Sequence, residues 1–232
     1  MNIPSDEVDW RPCYRIIPSR FPPIDLFERV ADPDDLEAVF EIESLTNPRL
    51  RAEVGEIRLV DPDDRISGPG TSTIMAAFTH LNPQGSRFTD GTFGVFYAGH
   101  ELQTAISETV YHRQKFMLAT RQNRLELDMR VYLVDLSGTL HNLRGQRDEF
   151  PSVYDSDDYS AGMRLATRLR AEGSFGIVYD SVRNPGGECA AVFRPPVLSN
   201  CRQGQHLCYV WNGSKISDVY EKRPLDIITP PG

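Results

Sequence analysis

The chain has 232 residues, 40% hydrophobic and 25% charged, with a net charge of −8. That balance is ordinary for a folded domain able to bury a core without disulfides or metals. It excludes a surface built to bind nucleic acid through clustered Lys and Arg, while leaving room for a local basic pocket that takes one phosphate-bearing ligand.

The N-terminal MNIPSDEVDWRP lacks a basic-then-apolar signal pattern, and no long apolar run follows it, so a cytoplasmic, soluble, membrane-free protein is expected. CYRII, from Cys13, reads as a short strand ended by Pro18, and SRFPPIDLF as a loop. From Asp34 the pattern DDLEAVFEIESL predicts a helix, with Pro33 at its start and Asn47-Pro48 at its end. GEIRLVDP predicts a strand, and TSTIMAAFTHL a short helix after the SGPG loop. NPQGSRFTDGT is turn chemistry throughout, followed by strand FGVFYA and helix ELQTAISETVYHRQKF.

RVYLVDLSG predicts a strand that is apolar on both faces at its centre. The acidic DEFPSVYDSDDY reads as a solvated loop. DDYSAGMRLATRLRAEG predicts a helix capped by Ser160 and stopped by Gly173. FGIVYDS and CAAVFRP form an expected hairpin across RNPGGE, and LCYVWNG and ISDVYEKR are the last strands. Strands clustered late, with isolated helices between them, predict an α+β domain. The four cysteines, Cys13, Cys189, Cys201 and Cys208, form no C-x-x-C pair; buried or incidental thiols are expected, and no metal site.

Chemistry concentrates on the helix that follows FGVFYA. Leu102, Ala105, Ile106 and Thr109 make its apolar stripe, while Thr104, Glu108 and His112 recur every four residues on another face. A Glu–His pair at that spacing is by itself a surface contact worth a few tenths of a kcal/mol. Tyr97 at the preceding strand end, Arg87 in the turn before it and Ser181 at the end of FGIVYDS add to it. An Arg, a Tyr, a Glu and a Ser at element ends make a set able to hold a nucleotide and act on its ribose.

These segments resemble the RES-domain family, the toxin half of RES–Xre toxin–antitoxin pairs. The matching stretches are CYRII with Arg15, SRFTDGTFGVFYAGHELQTAISETVYH with Arg87, Tyr97 and Glu108, and GIVYDSVRNPGGECAAVF with Ser181. Where the family turn usually reads Gly-Arg-Phe-Asn, this chain has Ser86-Arg87-Phe88-Thr89. The resemblance implies a single RES-type domain over the whole chain, with a variable insertion at roughly residues 20–80. It also implies an ADP-ribosyltransferase-like fold, with mostly antiparallel sheets forming a cleft flanked by helices.

It further implies destruction of NAD, by phosphorolysis or hydrolysis of the nicotinamide–ribose bond. NAD is then a substrate, inorganic phosphate a possible co-substrate, and no cofactor is needed. Glu108 would stabilise the oxocarbenium-like transition state. Arg15 and Arg87 would hold the pyrophosphate, with Tyr14 beside them. Tyr97 would orient the nicotinamide, Ser181 the ribose or amide, and His112 the Glu108 carboxylate. An Xre-like antitoxin that blocks the pocket is the expected partner, in a homo-oligomer or a toxin–antitoxin hetero-oligomer. Mono-ADP-ribosylation of a protein and a non-catalytic nucleotide-binding module are the alternatives, with a nucleic-acid binder a distant third.

Overall fold

In the computed structural model, residues 3–18, 56–223 and 225 are described. The helix expected from Asp34, the SRFPPIDLF loop and much of the expected insertion lie outside them. Within the described residues seven strands follow one another as β1 (Ser5–Pro18), β2 (Phe96–Gly99), β3 (Leu125–Asn142), β4 (Gly176–Asp180), β5 (Glu188–Val192), β6 (Leu198–Trp211) and β7 (Ile216–Lys222). Among the described residues three α-helices accompany them: α1 (Thr71–Thr79), α2 (Leu102–Ala119) and α3 (Ser160–Ala171).

The strands form one sheet in the order β1-β2-β5-β4-β3-β6-β7, and β1 also pairs with β3. Strands β1, β2, β5, β4 and β3 therefore close a ring, from which β6 and β7 extend. All pairings are antiparallel except β3 with β4. The long strand β3 makes the closure possible. It pairs with β6 up to Leu136, then with β4 at His141 and Asn142, while its other edge follows β1. The expected α+β architecture with a mixed, mostly antiparallel sheet is what the chain adopts.

Alternation along the strands sorts the core. Phe96, Ala98, Tyr132, Val134, Leu136, Val178, Ala190 and Val192 point to one side, where Ile74, Met75 and Phe78 of α1 pack on them. Ile177, Tyr179, Cys189 and Ala191 point to the other, against Leu165, Ala166 and Leu169 of α3. Val131, Met129 and Tyr209 meet Ala105 and Met117 of α2 in a third cluster. The expected apolar stripe of α2, with Leu102 and Ile106 packed on that cluster, is thus the buried one.

Several elements differ from expectation. Strand β1 begins at Ser5 rather than Cys13, and β3 extends well beyond RVYLVDLSG at both ends. GEIRLVDP is not a strand: Ile57–Leu59 and Pro62–Asp64 are single 3₁₀ turns. Ile57 and Val60 are buried three residues apart, the spacing of a helical turn, and Asp61 caps the second turn by accepting from the Asp63 N–H. Asp64 is then held by Arg194 through two hydrogen bonds of 2.7 Å. Ser160 is the first residue of α3 rather than its cap; the carboxylate of Asp158 takes the Ser160 N–H at 2.9 Å. Gly173, at φ +85°, ends that helix as expected. All four cysteines are free thiols, with Cys13, Cys189 and Cys208 buried.

Candidate active site

Strand β2 leads into α2 through a tight turn, so the polar face of α2 is set beside the end of β4. Thr104 and Glu108 on that face, together with the 181–187 turn that joins β4 to β5, form the floor of the site. Ser181 is buried, and its hydroxyl is fully used. It accepts from the backbone N–H groups of Arg183 at 3.1 Å and Asn184 at 2.9 Å, and donates to Glu108 Oε1 at 2.6 Å. Because a hydroxyl has one proton and two lone pairs, the two acceptances direct that proton onto Glu108.

The Arg183 N–H adds a second contact to the same oxygen, at 3.3 Å, and the Cys189 thiol approaches it at 4.0 Å. Among the described residues every donor reaches Oε1, and none reaches Oε2. Asn184 Nδ2 donates to Thr104 Oγ1 at 2.9 Å, and Arg147 donates to the Ser181 carbonyl at 3.1 Å. Only glycine fits at position 187: a Cβ there would stand 2.3 Å from Thr104 Oγ1. The turn is therefore clamped to the helix at both Thr104 and Glu108.

Tyr97 and Arg87 make one wall. The Tyr97 hydroxyl accepts the Phe88 N–H at 2.9 Å and pairs with Ser86 Oγ at 2.7 Å. Ser86 thus supplies a hydroxyl that ties the 86–89 turn to β2. Burial raises the Tyr97 pKa to about 12, so its hydroxyl stays protonated. Arg87 is buried in turn, with Nη1 donating to the carbonyls of Val153 at 2.7 Å and Asp155 at 2.8 Å and the guanidinium over the Tyr159 ring.

Tyr179, buried behind the floor, lies within electrostatic reach of Glu108, Tyr97 and Arg87; burial first, then Cys189, Glu108 and Tyr97, push its pKa well above the ordinary tyrosine value, against the opposing pull of Arg87. Its Y-x-S spacing to Ser181 at the end of the apolar run FGIVY was the available signal for it. His112 sits at the rim with its ring edge-on to Tyr111 and Tyr159. Although it keeps exposed surface, desolvation lowers its pKa against the upward pull of Glu108, so it is neutral at neutral pH.

Two expected members are placed elsewhere. Arg15 donates to the Tyr97 carbonyl at 3.1 Å, and its guanidinium lies over the Phe96 ring. That is the α1 side of the sheet, whereas the Tyr97 ring lies on the opposite side. Burial lowers the Arg15 pKa to about 10. Tyr14 packs in the cluster under the apolar stripe of α2. Glu108, Ser181, Tyr97 and Arg87 are brought into one region, and Arg15 and Tyr14 are not part of its contacts. The acidic segment after Asp148, expected to be a solvated loop, instead has its 153–159 portion bound across the Arg87 wall. No cluster of three or more His, Cys, Asp or Glu placed to hold a metal occurs among the described residues. No described helix is long and apolar enough to cross a membrane.

Glu108 is thus a carboxylate steadied at one oxygen, with no described donor on the other, in the same region as the buried Arg87 guanidinium. The chain belongs to the RES domain family: that family's model matches residues 62–212. Over 207 residues it is 36% identical to the uncharacterized protein y4oC of Sinorhizobium fredii, spanning 89% of this chain and 86% of that one. A chain in the crystal structure of the M. tuberculosis MbcT-MbcA toxin-antitoxin complex aligns with TM-score 0.46 and 11% identity, over 86% of each chain.

Proposed function

We propose that this protein is the toxin of a toxin–antitoxin pair and that it degrades NAD by cleaving the nicotinamide–ribose bond. The observation that carries the reading is the pairing of Glu108 Oε1 with Ser181 at 2.6 Å, which leaves Oε2 for a ligand. Rupture of the glycosidic bond sends its electron pair to the nicotinamide nitrogen, neutralising the pyridinium, and positive charge develops on the ribose. A fixed carboxylate beside that carbon stabilises the charge without reorganising. Oε2 accepts a ribose hydroxyl, and Ser181 and the Arg183 N–H keep the carboxylate aimed. An oxygen of phosphate or water then bonds to the ribose carbon, giving ADP-ribose 1-phosphate or ADP-ribose with a released proton.

Arg87 serves the pyrophosphate in this reading, as a guanidinium meets phosphate oxygens in a fork that lysine lacks. Tyr97, through its hydroxyl, holds the turn that carries Arg87, and its ring borders the nicotinamide position. Neutral His112 at the rim faces Glu108 without competing for its charge. The protein acts in the cytoplasm, and an Xre-like antitoxin covers the pocket mouth. The test is to incubate the protein with NAD, with and without phosphate, and to identify the products by mass. Free nicotinamide with ADP-ribose or its 1-phosphate supports the proposal. Intact NAD refutes it, and label transferred to a protein band reassigns the acceptor.

A further inference from the structure

The carboxylates of the 153–159 segment face solvent, but its backbone is gripped from two sides. Arg87, from the turn before β2, donates to the carbonyls of Val153 and Asp155. Arg183, from the turn after β4, donates to the carbonyl of the next residue, Ser156. Two guanidiniums on different elements therefore converge on consecutive carbonyl oxygens. Each is backed by an aromatic ring, Arg87 by Tyr159 and Arg183 by Tyr111, the latter 3.3 Å from the ring centroid. Meanwhile the Arg183 N–H stays on Glu108 Oε1, so its side chain projects from a fixed base at the floor of the site.

From α2, Asp157 Oδ1 accepts from the Tyr111 hydroxyl at 2.6 Å and from Lys115 Nζ at 3.1 Å. The Lys115 and Asp157 side chains are 50% and 68% exposed, so their ion pair is screened and weak. Carbonyl oxygens are also poorer acceptors for guanidinium than phosphate oxygens, whose charge-assisted hydrogen bonds are roughly twice as strong. The segment is thus bound by good donors through second-rate acceptors, and its outer fastening is the part most easily undone.

We propose that Arg183 is a second anion-binding residue, paired with Arg87 to take the linked phosphates of a diphosphate-bearing ligand, and that residues 155–157 occupy this position until the ligand displaces them. This deepens, and rests on, the dinucleotide reading of the site. The Asp155 and Ser156 carbonyl oxygens stand where phosphate oxygens would sit. The Tyr111–Asp157–Lys115 contact is the latch that sets how readily they leave.

The experiment measures ADP and inorganic pyrophosphate binding by calorimetry, with adenosine as the phosphate-free control, for the wild type, Asp157→Asn and Arg183→Ala. Amide hydrogen exchange of residues 153–159 is followed in parallel. Asp157→Asn should bind ADP about two- to fivefold more tightly, the reverse of losing one exposed ion pair. Arg183→Ala should bind it about tenfold or more weakly, as for a lost hydrogen bond to a charged group. ADP, but not adenosine, should speed exchange in residues 155–157.

Changes in opposite directions are the signature, since a purely structural loop would weaken binding in both variants. Unchanged or weaker binding by Asp157→Asn overturns the proposal, as does normal binding by Arg183→Ala or no ADP binding by any form. A protein that shows this binding pattern but leaves NAD intact refutes the catalytic reading alone. NAD consumption with no response at Asp157 refutes the displacement alone.

Discussion

Ser181 donates its only hydroxyl proton to Glu108 across 2.6 Å of space and 73 positions of sequence. A residue from the end of a strand thereby sets the carboxylate of a helix, while two backbone N–H groups of its own turn hold the hydroxyl in place.

Glu108→Gln keeps the shape and removes the charge. NAD consumption should fall by about 100-fold or more, the loss seen when a single transition-state electrostatic partner is deleted. Ser181→Ala should cost less, because Glu108 then keeps its charge, the Arg183 N–H and the Cys189 thiol contact. Single-turnover rates with both variants check the order; full activity in Glu108→Gln removes this carboxylate from the mechanism.

Arg87→Lys is not conservative here. One nitrogen of Arg87 serves two carbonyls while the guanidinium plane lies over Tyr159, and an ammonium cannot match both. A loss in kcat/KM of about tenfold or more is expected, equivalent to about 1.4 kcal/mol of transition-state binding. Steady-state kinetics settle it, and wild-type kcat/KM in the lysine variant would show that any cation suffices.

Tyr97→Phe keeps the ring and strips the Phe88 N–H and Ser86 hydroxyl of their partner. Leaving such groups unsatisfied should destabilise the fold by about 1–3 kcal/mol. Urea unfolding measures this directly. An unchanged midpoint would mean that water replaces the hydroxyl and that the 86–89 turn stands without it.

Alkaline pH tests the buried tyrosines. Burial raises Tyr154 and Tyr209 to about 12, above the ordinary value near 10 of the unfolded chain. Since the folded pKa is the higher one, their stabilisation is complete below pH 10 and is lost as pH rises towards about 12. Each shift of two units corresponds to about 3 kcal/mol at most. The melting temperature should decline through that window, with tyrosinate absorbance from these residues appearing only as the protein unfolds. Complete titration of all nine tyrosines in the still-folded protein would contradict it.

Much of the fold was legible because it is written in local periodicity. The two-residue alternation of RVYLVDLSG, the turn residues of RNPGGE and the four-residue recurrence of Thr104, Glu108 and His112 each constrain their own segment. The misreadings share a physical origin. Ile57 and Val60 resemble half of a strand until their burial is known, and whether Ser160 caps α3 or begins it depends on where the first turn closes. The acidic residues at 155–158 look solvated because their side chains are; nothing in their composition says that their carbonyls face two arginines.

The sequence by itself determined most of the elements, the polar face of α2 and the family pattern that links Arg87, Tyr97, Glu108 and Ser181. Only the tertiary structure decided which of the candidates meet. Arg15 and Tyr14 are neighbours in sequence and therefore point to opposite sides of β1, neither among the contacts of Glu108. Ser181 and Arg183 meet Glu108 because the close approach of Gly187 to Thr104 seats their turn against the helix. Pleat direction and loop seating are properties of the closed sheet, set by strand pairings as distant in sequence as Ser5 with His141, and no local pattern encodes them.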